Sequence, residues 1–324
     1  MGRSRGFVTG LDVGTESVKA VRLRHHGDRV QLVGVALADI DYPSANRTDT
    51  DPDANAARVT AIKSVLETSG TDISPSSQVV TAVEGPSVSV KHVTFPKMPG
   101  PSLAESIGWE AKKHVPFGSS EFVLDFQPLP RESRDPENEM HVLLAAVEQR
   151  HIDRHIGLMV EAGIEPTAVD IVPLALINEL EAEKLLNEGA VASVEIGAGT
   201  LSVAIYRNGG LLLVRSVRMP ARPTGAAQEG PDERAKWLAF ALKEVQRSLA
   251  FYNTETGRHG IEKIYMSGGR ALSEGIVDRF SESLNIPAVV LNPLEVLENT
   301  AVDIEELKSQ GPRFALAMSL ARRG

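Results

Sequence analysis

Two short stretches carry residue types suited to holding phosphate. The first, Asp12-Val13-Gly14-Thr15-Glu16-Ser17, sets an acid, a glycine and two hydroxyls ahead of Lys19. The second, Glu195-Ile196-Gly197-Ala198-Gly199-Thr200, repeats that order at an offset of 183 residues (195 − 12 and 200 − 17). At a hairpin tip, successive backbone N–H groups form a nest for an anion. Asp12 and Glu195 are the hard oxygen donors that would hold Mg²⁺, through water, because that ion dehydrates reluctantly. Lys19 alternates onto the face that points toward such an anion. Ser267-Gly268-Gly269-Arg270 ends a strand before a helix, so its backbone can pass close to a sugar or α-phosphate with the helix N-terminus behind it. Each piece has a plainer reading: Gly14 and Gly197 as turn glycines, Lys19 as a solvated strand lysine. Their common order favours a nucleotide cleft. Glu16 stands apart, because it sets a carboxylate where phosphates should lie.

These residues need elements to carry them. Residues 7–15, 17–24 and 29–39 read as three consecutive strands, with a turn at His25-His26-Gly27-Asp28. A helix follows over 53–66, with Val59, Ile62, Val65 and Leu66 on one face, and then a strand at 78–84. Residues 87–95 alternate as a strand. Ser102-Leu103-Ala104-Glu105 is a capping box opening a helix with Leu103, Ile107 and Ala111 on one side. That helix ends before Pro116. Strands at 121–129 and 140–149 flank a polar connection at 131–139, and a helix runs over 152–161. A strand and helix at 168–186 lead to the second hairpin, with a turn at Asn208-Gly209-Gly210. The second half then needs a helix over 234–252, a strand over 261–266, a helix over 271–284, a strand over 287–291 and a final helix carrying Phe314, Ala317 and Leu320.

Two β-β-β-α-β-α halves, each opened by the same hairpin, predict an α/β, actin-like fold, a duplicated ribonuclease-H-like unit in which the hairpins face each other across a cleft. The βαββα stretch inserted in the first half is predicted to form a small subdomain.

Composition narrows the function. The 324 residues are 42% hydrophobic and 24% charged, enough for two cores. A net charge of −9 disfavours nucleic acid as a partner. The chain has no cysteine, so thiolate chemistry and disulfides are excluded. No signal-peptide core follows the basic first residues, and runs such as 142–147 are far shorter than the roughly 20 residues that span a bilayer, so no direct membrane insertion is expected. His151 and His155, four apart on a helix, are a possible metal pair, but an exposed helix face explains them more simply. His25 and His26 are expected to face solvent, and Trp109 and Trp237 to be packing residues.

The sequence resembles the PilM family of type IV pilus assembly proteins, relatives of the cell-division protein FtsA. The resemblance is carried by 11-LDVGTESVKAV-21, 95-FPKMP-99, 109-WEAKKHVPF-117, 123-VLDFQPL-129, 142–176, 194-VEIGAGT-200, 247-RSLAFY-252, 266-MSGGRALSEG-275 and 289-VVLNPLE-295. It implies a first core subdomain (1–84 and 166–188), an FtsA-like inserted subdomain (85–165), a second core subdomain (189–218 and 258–324) and a fourth, shortened one (219–257). It implies a cytoplasmic scaffold for pilus assembly and twitching motility, peripheral to the inner membrane. Its partner would be the N-terminal cytoplasmic tail of a PilN-like bitopic inner-membrane protein, held in a groove between the first core and the insert. By placement, that groove involves Val90, Val93, Phe95, His114, Val115, Pro116 and Phe117, and packing inside the insert is the competing role for each. The resemblance also implies ATP and Mg in the cleft with little hydrolysis.

The chain departs from the family pattern at Glu195, where Asp is expected. Glu is longer by about one carbon–carbon bond, roughly 1.5 Å. It departs again at Glu16, and at 218-RMPARPTGAAQEGPDER-234, which replaces a region contributing to the adenosine pocket. These changes point to weakened or lost ATP binding. The alternative keeps ATP-Mg, with Lys19 offsetting Glu16. A second alternative is an actin-like sugar kinase, which shares the first hairpin but needs a general base for the acceptor hydroxyl. The sequence offers no convincing one.

Overall fold

The computed structural model describes residues 6–27, 29–44, 48, 50–72, 78–129, 136–186, 189–207, 210–220, 230–256, 260–297 and 299–323. The first five residues, Asp28, most of the polar connection at 131–139, the Asn208-Gly209 turn and residues 221–229 of the departing segment lie outside them.

The first half builds a five-stranded sheet from β1 (Phe7–Val13), β2 (Ser17–His26), β3 (Arg29–Asp39), β4 (Gln78–Val83) and, after the insert, β8 (Ala168–Ile171), in the order β3-β2-β1-β4-β8. The second uses β9 (Ala190–Ile196), β10 (Thr200–Arg207), β11 (Gly210–Arg218), β12 (Ile261–Ser267) and β13 (Ala288–Val290), in the order β11-β10-β9-β12-β13. The two orders superpose term by term. Each opening strand is antiparallel to the second and parallel to the strand that returns through a helix, as a parallel neighbour requires. The returning helices are α1 (Pro52–Thr68) and α5 (Pro231–Thr256). Asp51 caps α1 by accepting from the Asp53 N–H, and Pro52 sits in its first turn, where a missing N–H costs nothing. Val59, Ile62, Val65 and Leu66 of α1 pack on Leu11 and Val18. Trp237, Leu238, Val245, Leu249 and Tyr252 of α5 pack on the second sheet. Each such side chain contributes about 1.5–3 kcal/mol when fully buried.

The insert is a separate three-stranded antiparallel sheet in the order β5-β7-β6: β5 (Val88–Pro96), β6 (Phe122–Pro128) and β7 (Glu139–Glu148). Across it lies α2 (Gly100–His114), with Leu103 and Ile107 packed on Val93, Phe95, Val142 and Leu144. The expected capping box is not formed. Pro99 is the N-cap, no side chain caps the helix, and α2 starts two residues before Ser102. Pro101 is compatible with a first-turn position, so the helix begins upstream of the polar pair. Helix α3 (Gln149–Glu161) buries Met159 among the residues of α1 and so ties the insert to the first core. Edge strand β5 meets β11 of the second half, and the His92 side chain bonds the Leu211 backbone.

The predicted helix over 271–284 is broken. A 3-10 turn spans Gly269–Leu272, and α6 (Ile276–Leu284) starts only after Gly275, whose φ of 69° no helix accommodates. The final helix is likewise divided into a 3-10 stretch, Glu305–Phe314, and α8 (Ala315–Ala321); the short α7 (Pro293–Val296) precedes both. This last segment crosses back to the first half. Leu32 pairs with it through its N–H to Asn299 (2.9 Å) and its carbonyl from Ala301 (2.8 Å). α8 lies on β1 and on α4 (Val172–Ala182). The approach is so close that a Cβ on Gly10 would fall 1.9 Å from the Ala317 carbonyl oxygen. Arg322 closes the seam on Glu179, which is 0% exposed, at 2.6 Å.

Candidate functional site

Both hairpins turn by the same bond. The Gly14 N–H donates to the Ser17 carbonyl at 3.1 Å, and the Gly197 N–H to the Thr200 carbonyl at 2.9 Å. The tips touch. A Cβ on Gly199 would lie 2.2 Å from Thr15 Oγ1, so the glycine is what lets the two halves meet. Gly268, at φ 89°, passes over Glu195: a Cβ there would be 2.7 Å from Glu195 Oε1. The Gly268 N–H is tied to the Pro312 carbonyl at 2.9 Å.

Between these elements lies a cleft of about 440 Å³, within the span of roughly 300–1,000 Å³ usual for small-molecule sites. Every residue assigned to it from the sequence lines it except Thr200. Thr200 sits one step back, with its hydroxyl on Glu84. The sequence reading missed Glu84, Asp39 and Arg313. Glu84 follows β4 directly, at the carboxyl end of a parallel strand, where ligands of open α/β sheets bind. Arg313 reaches Ser17 Oγ (3.2 Å) and Asp39 Oδ1 (3.3 Å).

The electrostatics are unequal. Asp12 and Lys19 are directly opposed across β1 and β2, and Lys19 Nζ lies 3.0 Å from Asp12 Oδ2 with side chains 12% and 14% exposed. Lys19 is therefore no solvated strand lysine, and it pairs with Asp12. Among the described residues no cation makes an ion pair with Glu195, and Lys19 acts on it only at longer range. Its Oε2 is buried without a hydrogen-bond partner. Burial, then the charges of Glu84 and Asp12, push its carboxyl well above the usual range, with Lys19 pulling back. Glu84 is pushed up to about 7 by burial and by Asp12, against hydrogen bonds from Thr200 and Ser202. Arg270 covers the Trp237 ring at 4.9 Å, so Trp237 both packs and props a cleft residue.

Magnesium fits this donor set poorly. Asp12 is engaged by Lys19, one Glu195 oxygen is sealed from solvent, and no group of three or more His, Cys, Asp or Glu arranged to hold a metal occurs among the described residues. Lys19, Arg270 and Arg313 reach the cleft from three different elements, among the carboxylates of Asp12, Glu16, Asp39, Glu84 and Glu195.

In the insert, Val93, Phe95 and Phe117 are buried. Val93 and Phe95 pack in the insert's own core, with Leu103 and Ile107 of α2. Val90, His114 and Val115 are half-buried and Pro116 is exposed. The His114 ring stands edge-on to Phe95, with centroids 6.2 Å apart. Trp109, expected to pack, is 79% exposed on the outer face of α2. His151 and His155 are no metal pair: His155 is half-buried with Nε2 2.9 Å from Thr81 Oγ1, and desolvation lowers its pKa to about 4. His25 is buried too, 2.8 Å from the Ala321 carbonyl, because α8 lands on it; His26 is exposed as expected.

Comparison with known proteins agrees with this architecture. The chain is similar to the cell division protein FtsA of Streptococcus pneumoniae, 27% identical over 270 residues that cover 76% of this chain and 54% of FtsA. It thus spans about half the length of that curated relative. It is similar to the solved PilM-PilN type IV pilus biogenesis complex, with 25% identity, a TM-score of 0.81, and coverage of 99% of this chain and 98% of the other. The profile of the type IV pilus assembly protein PilM matches residues 10–219 and 236–324. With an actin-like duplicated fold and an insert in the first half, the chain belongs to the PilM family of type IV pilus assembly proteins.

Proposed function

We propose that this chain is the cytoplasmic scaffold of a pilus or related secretion machine. It binds the N-terminal tail of a PilN-like bitopic membrane protein, and its binding of ATP-Mg is weakened. The observation that carries the reading is the likeness to the PilM-PilN complex over nearly the whole chain, insert included. Among the described residues no helix is long and apolar enough to cross a membrane, so the partner supplies the membrane anchor. α3 is the element shared by the insert and the first core, α5 belongs with the second core, and the final segment packs on the first sheet. The tail docks between the insert and the first core, near Val90, His114, Val115 and Pro116, where a short peptide gains affinity from a few apolar contacts. The tail would bridge two bodies already joined by α3, so nucleotide in the cleft can bias its affinity only through their relative angle.

Titration calorimetry of the full chain with a PilN tail peptide tests this. Saturable binding, weakened by Pro116→Glu, is expected. Tight ATP-Mg binding with no peptide binding would sink it. The kinase reading gains one observation, because Glu84 supplies an acid in the cleft that the sequence reading lacked. ADP release over a sugar panel separates the two, and no turnover is expected.

A further inference from the structure

Where α4 ends, the chain passes from the first sheet to β9 of the second. Glu183 is the C-cap of that helix, and Lys184 turns the backbone at φ 56°, a left-handed value that non-glycine residues adopt at a cost. The turn is held by the Lys184 N–H on the Glu181 carbonyl (2.9 Å) and the Leu185 N–H on the Leu180 carbonyl (2.8 Å). Three features of this corner disfavour a carboxylate at Glu183. It stands at a helix C-terminus, the negative end of the dipole. One turn back lies Glu179, fully buried, with both oxygens already on the Arg322 guanidinium of α8 at 2.6 and 3.2 Å. Glu183 Oε1 is itself buried without a hydrogen-bond partner. Charge converges on the corner from three elements. α4 brings Glu179, α8 brings Arg322, and β12 of the second sheet brings Tyr265 with Glu262 and Lys263 beside it. Arg323, the next cation along, is paired with Asp170 on β8. A proton on Glu183 resolves the conflict, because a carboxyl can donate to Glu179 where a carboxylate cannot. Burial and then Glu179 raise the Glu183 carboxyl to about 7, against the pull of Arg322.

We propose that Glu183 is a proton switch at the crossing between the two halves. With its proton, it donates to Glu179 and, through Arg322, fastens the end of α4 to α8. Without it, two carboxylates compete for one guanidinium, the end of α4 yields, and the halves turn more freely about the crossing. The seam is held in mild acid and released in mild alkali, the proton going to solvent. The cleft lies between the same two halves, so its width follows the state of this carboxyl. The switch does not depend on which ligand the cleft takes.

The chain has no cysteine, so Lys63→Cys on α1 and Gln246→Cys on α5, both exposed positions, take one spin label each on opposite halves. Pulsed electron paramagnetic resonance on the full chain reads the distance between them. Its distribution is expected to broaden by about 1.5-fold or more between about pH 6 and about pH 8. Glu183→Gln keeps a side-chain donor and carries no charge, so it is expected to hold the narrow distribution at both. Glu84 titrates in the same range and lines the cleft, so Glu84→Gln separates the two groups, and the broadening is expected to persist in it. Hydrogen exchange of the Leu185 N–H gives a label-free reading. At about pH 8 it is expected to be faster in the natural chain than in Glu183→Gln, and at about pH 6 equal in both. An unchanged distribution in the labelled chain, broadening that survives in Glu183→Gln, or broadening abolished by Glu84→Gln would overturn the proposal.

Discussion

The two hairpins are the same backbone carrying different charge. Asp12 faces Lys19 across β1 and β2, and at the matching register Glu195 faces Ser202 across β9 and β10. The lysine of one half is a serine in the other, at the shared offset of 183 (202 − 19). Ser202 turns away to donate to Glu84 at 3.3 Å and to share a hydrogen bond with Ser216 at 2.9 Å. One acid is therefore neutralised by its own hairpin, whereas the other depends on a distant lysine and on a proton. The parallel neighbours differ as well. Opposite Leu11 stands Thr81, hydrogen-bonded to the Leu11 carbonyl and to His155; opposite Val194 stands Met266, fully buried and apolar. Duplication conserves register. The chemistry at each register position is free to diverge.

Breaking the charged hairpin should cost most. Lys19→Met leaves Asp12 partly buried beside Glu84 and Glu195, and a loss of about 3–4 kcal/mol is expected in urea unfolding at neutral pH. The prop on the first hairpin comes next. His155 binds its proton less tightly folded (about 4) than unfolded (6.5), so its contribution is present above pH 6.5 and lost as pH falls toward 4. The expected loss is up to about 3 kcal/mol, and His155→Gln should flatten it. Contact between the tips ranks third. Gly199→Ala should cost about 2 kcal/mol, and Thr15→Gly in the same chain should recover most of that, a coupling readable in a double-mutant cycle. At the end of β4, where Thr200 and Ser202 of the second hairpin bond it, Glu84 holds its proton more tightly folded (about 7) than unfolded (4.5). Its contribution is complete below pH 4.5 and lost as pH rises through 7, so Glu84→Gln should gain about 1–2 kcal/mol over the natural chain under alkaline conditions. Ser202→Lys, which gives the second hairpin its own cation, should move stability least, by about 1 kcal/mol or less, while reducing that alkaline loss.

The hairpins, the repeat and the sheet rhythm were legible because they are local: a glycine, an acid and an alternation within some ten residues. The missed parts are those that only long-range packing creates. Glu84 is one acid after one strand, and nothing nearby shows that β4 will lie beside β1. Arg313 meets Ser17 across 296 residues of sequence. His25 looked solvent-facing because the helix that covers it comes equally late. Trp109 is different, since its exposure could have been read. At about 100° per residue it stands roughly 200° from Ile107, on the side opposite the buried Leu103, Ile107 and Ala111. The capping box at Ser102 failed to a stronger local signal, two prolines that set the start of α2 earlier. In the groove, Val93 and Phe95 alternate with exposed positions as any half-buried strand does, and the pattern alone does not say whether a core or a partner covers the apolar face.

The position of α8 sets an order of events during synthesis. Gly10 and His25 emerge early, yet the helix that packs on Gly10 and accepts from His25 is translated 296 residues after His25. Domains of nascent chains commonly mature in sequence, amino-terminal unit first. Here the first half leaves the ribosome with one face of its sheet covered by α4 only in part, and Gly10 and His25 wait for the second half to be made before α8 covers them.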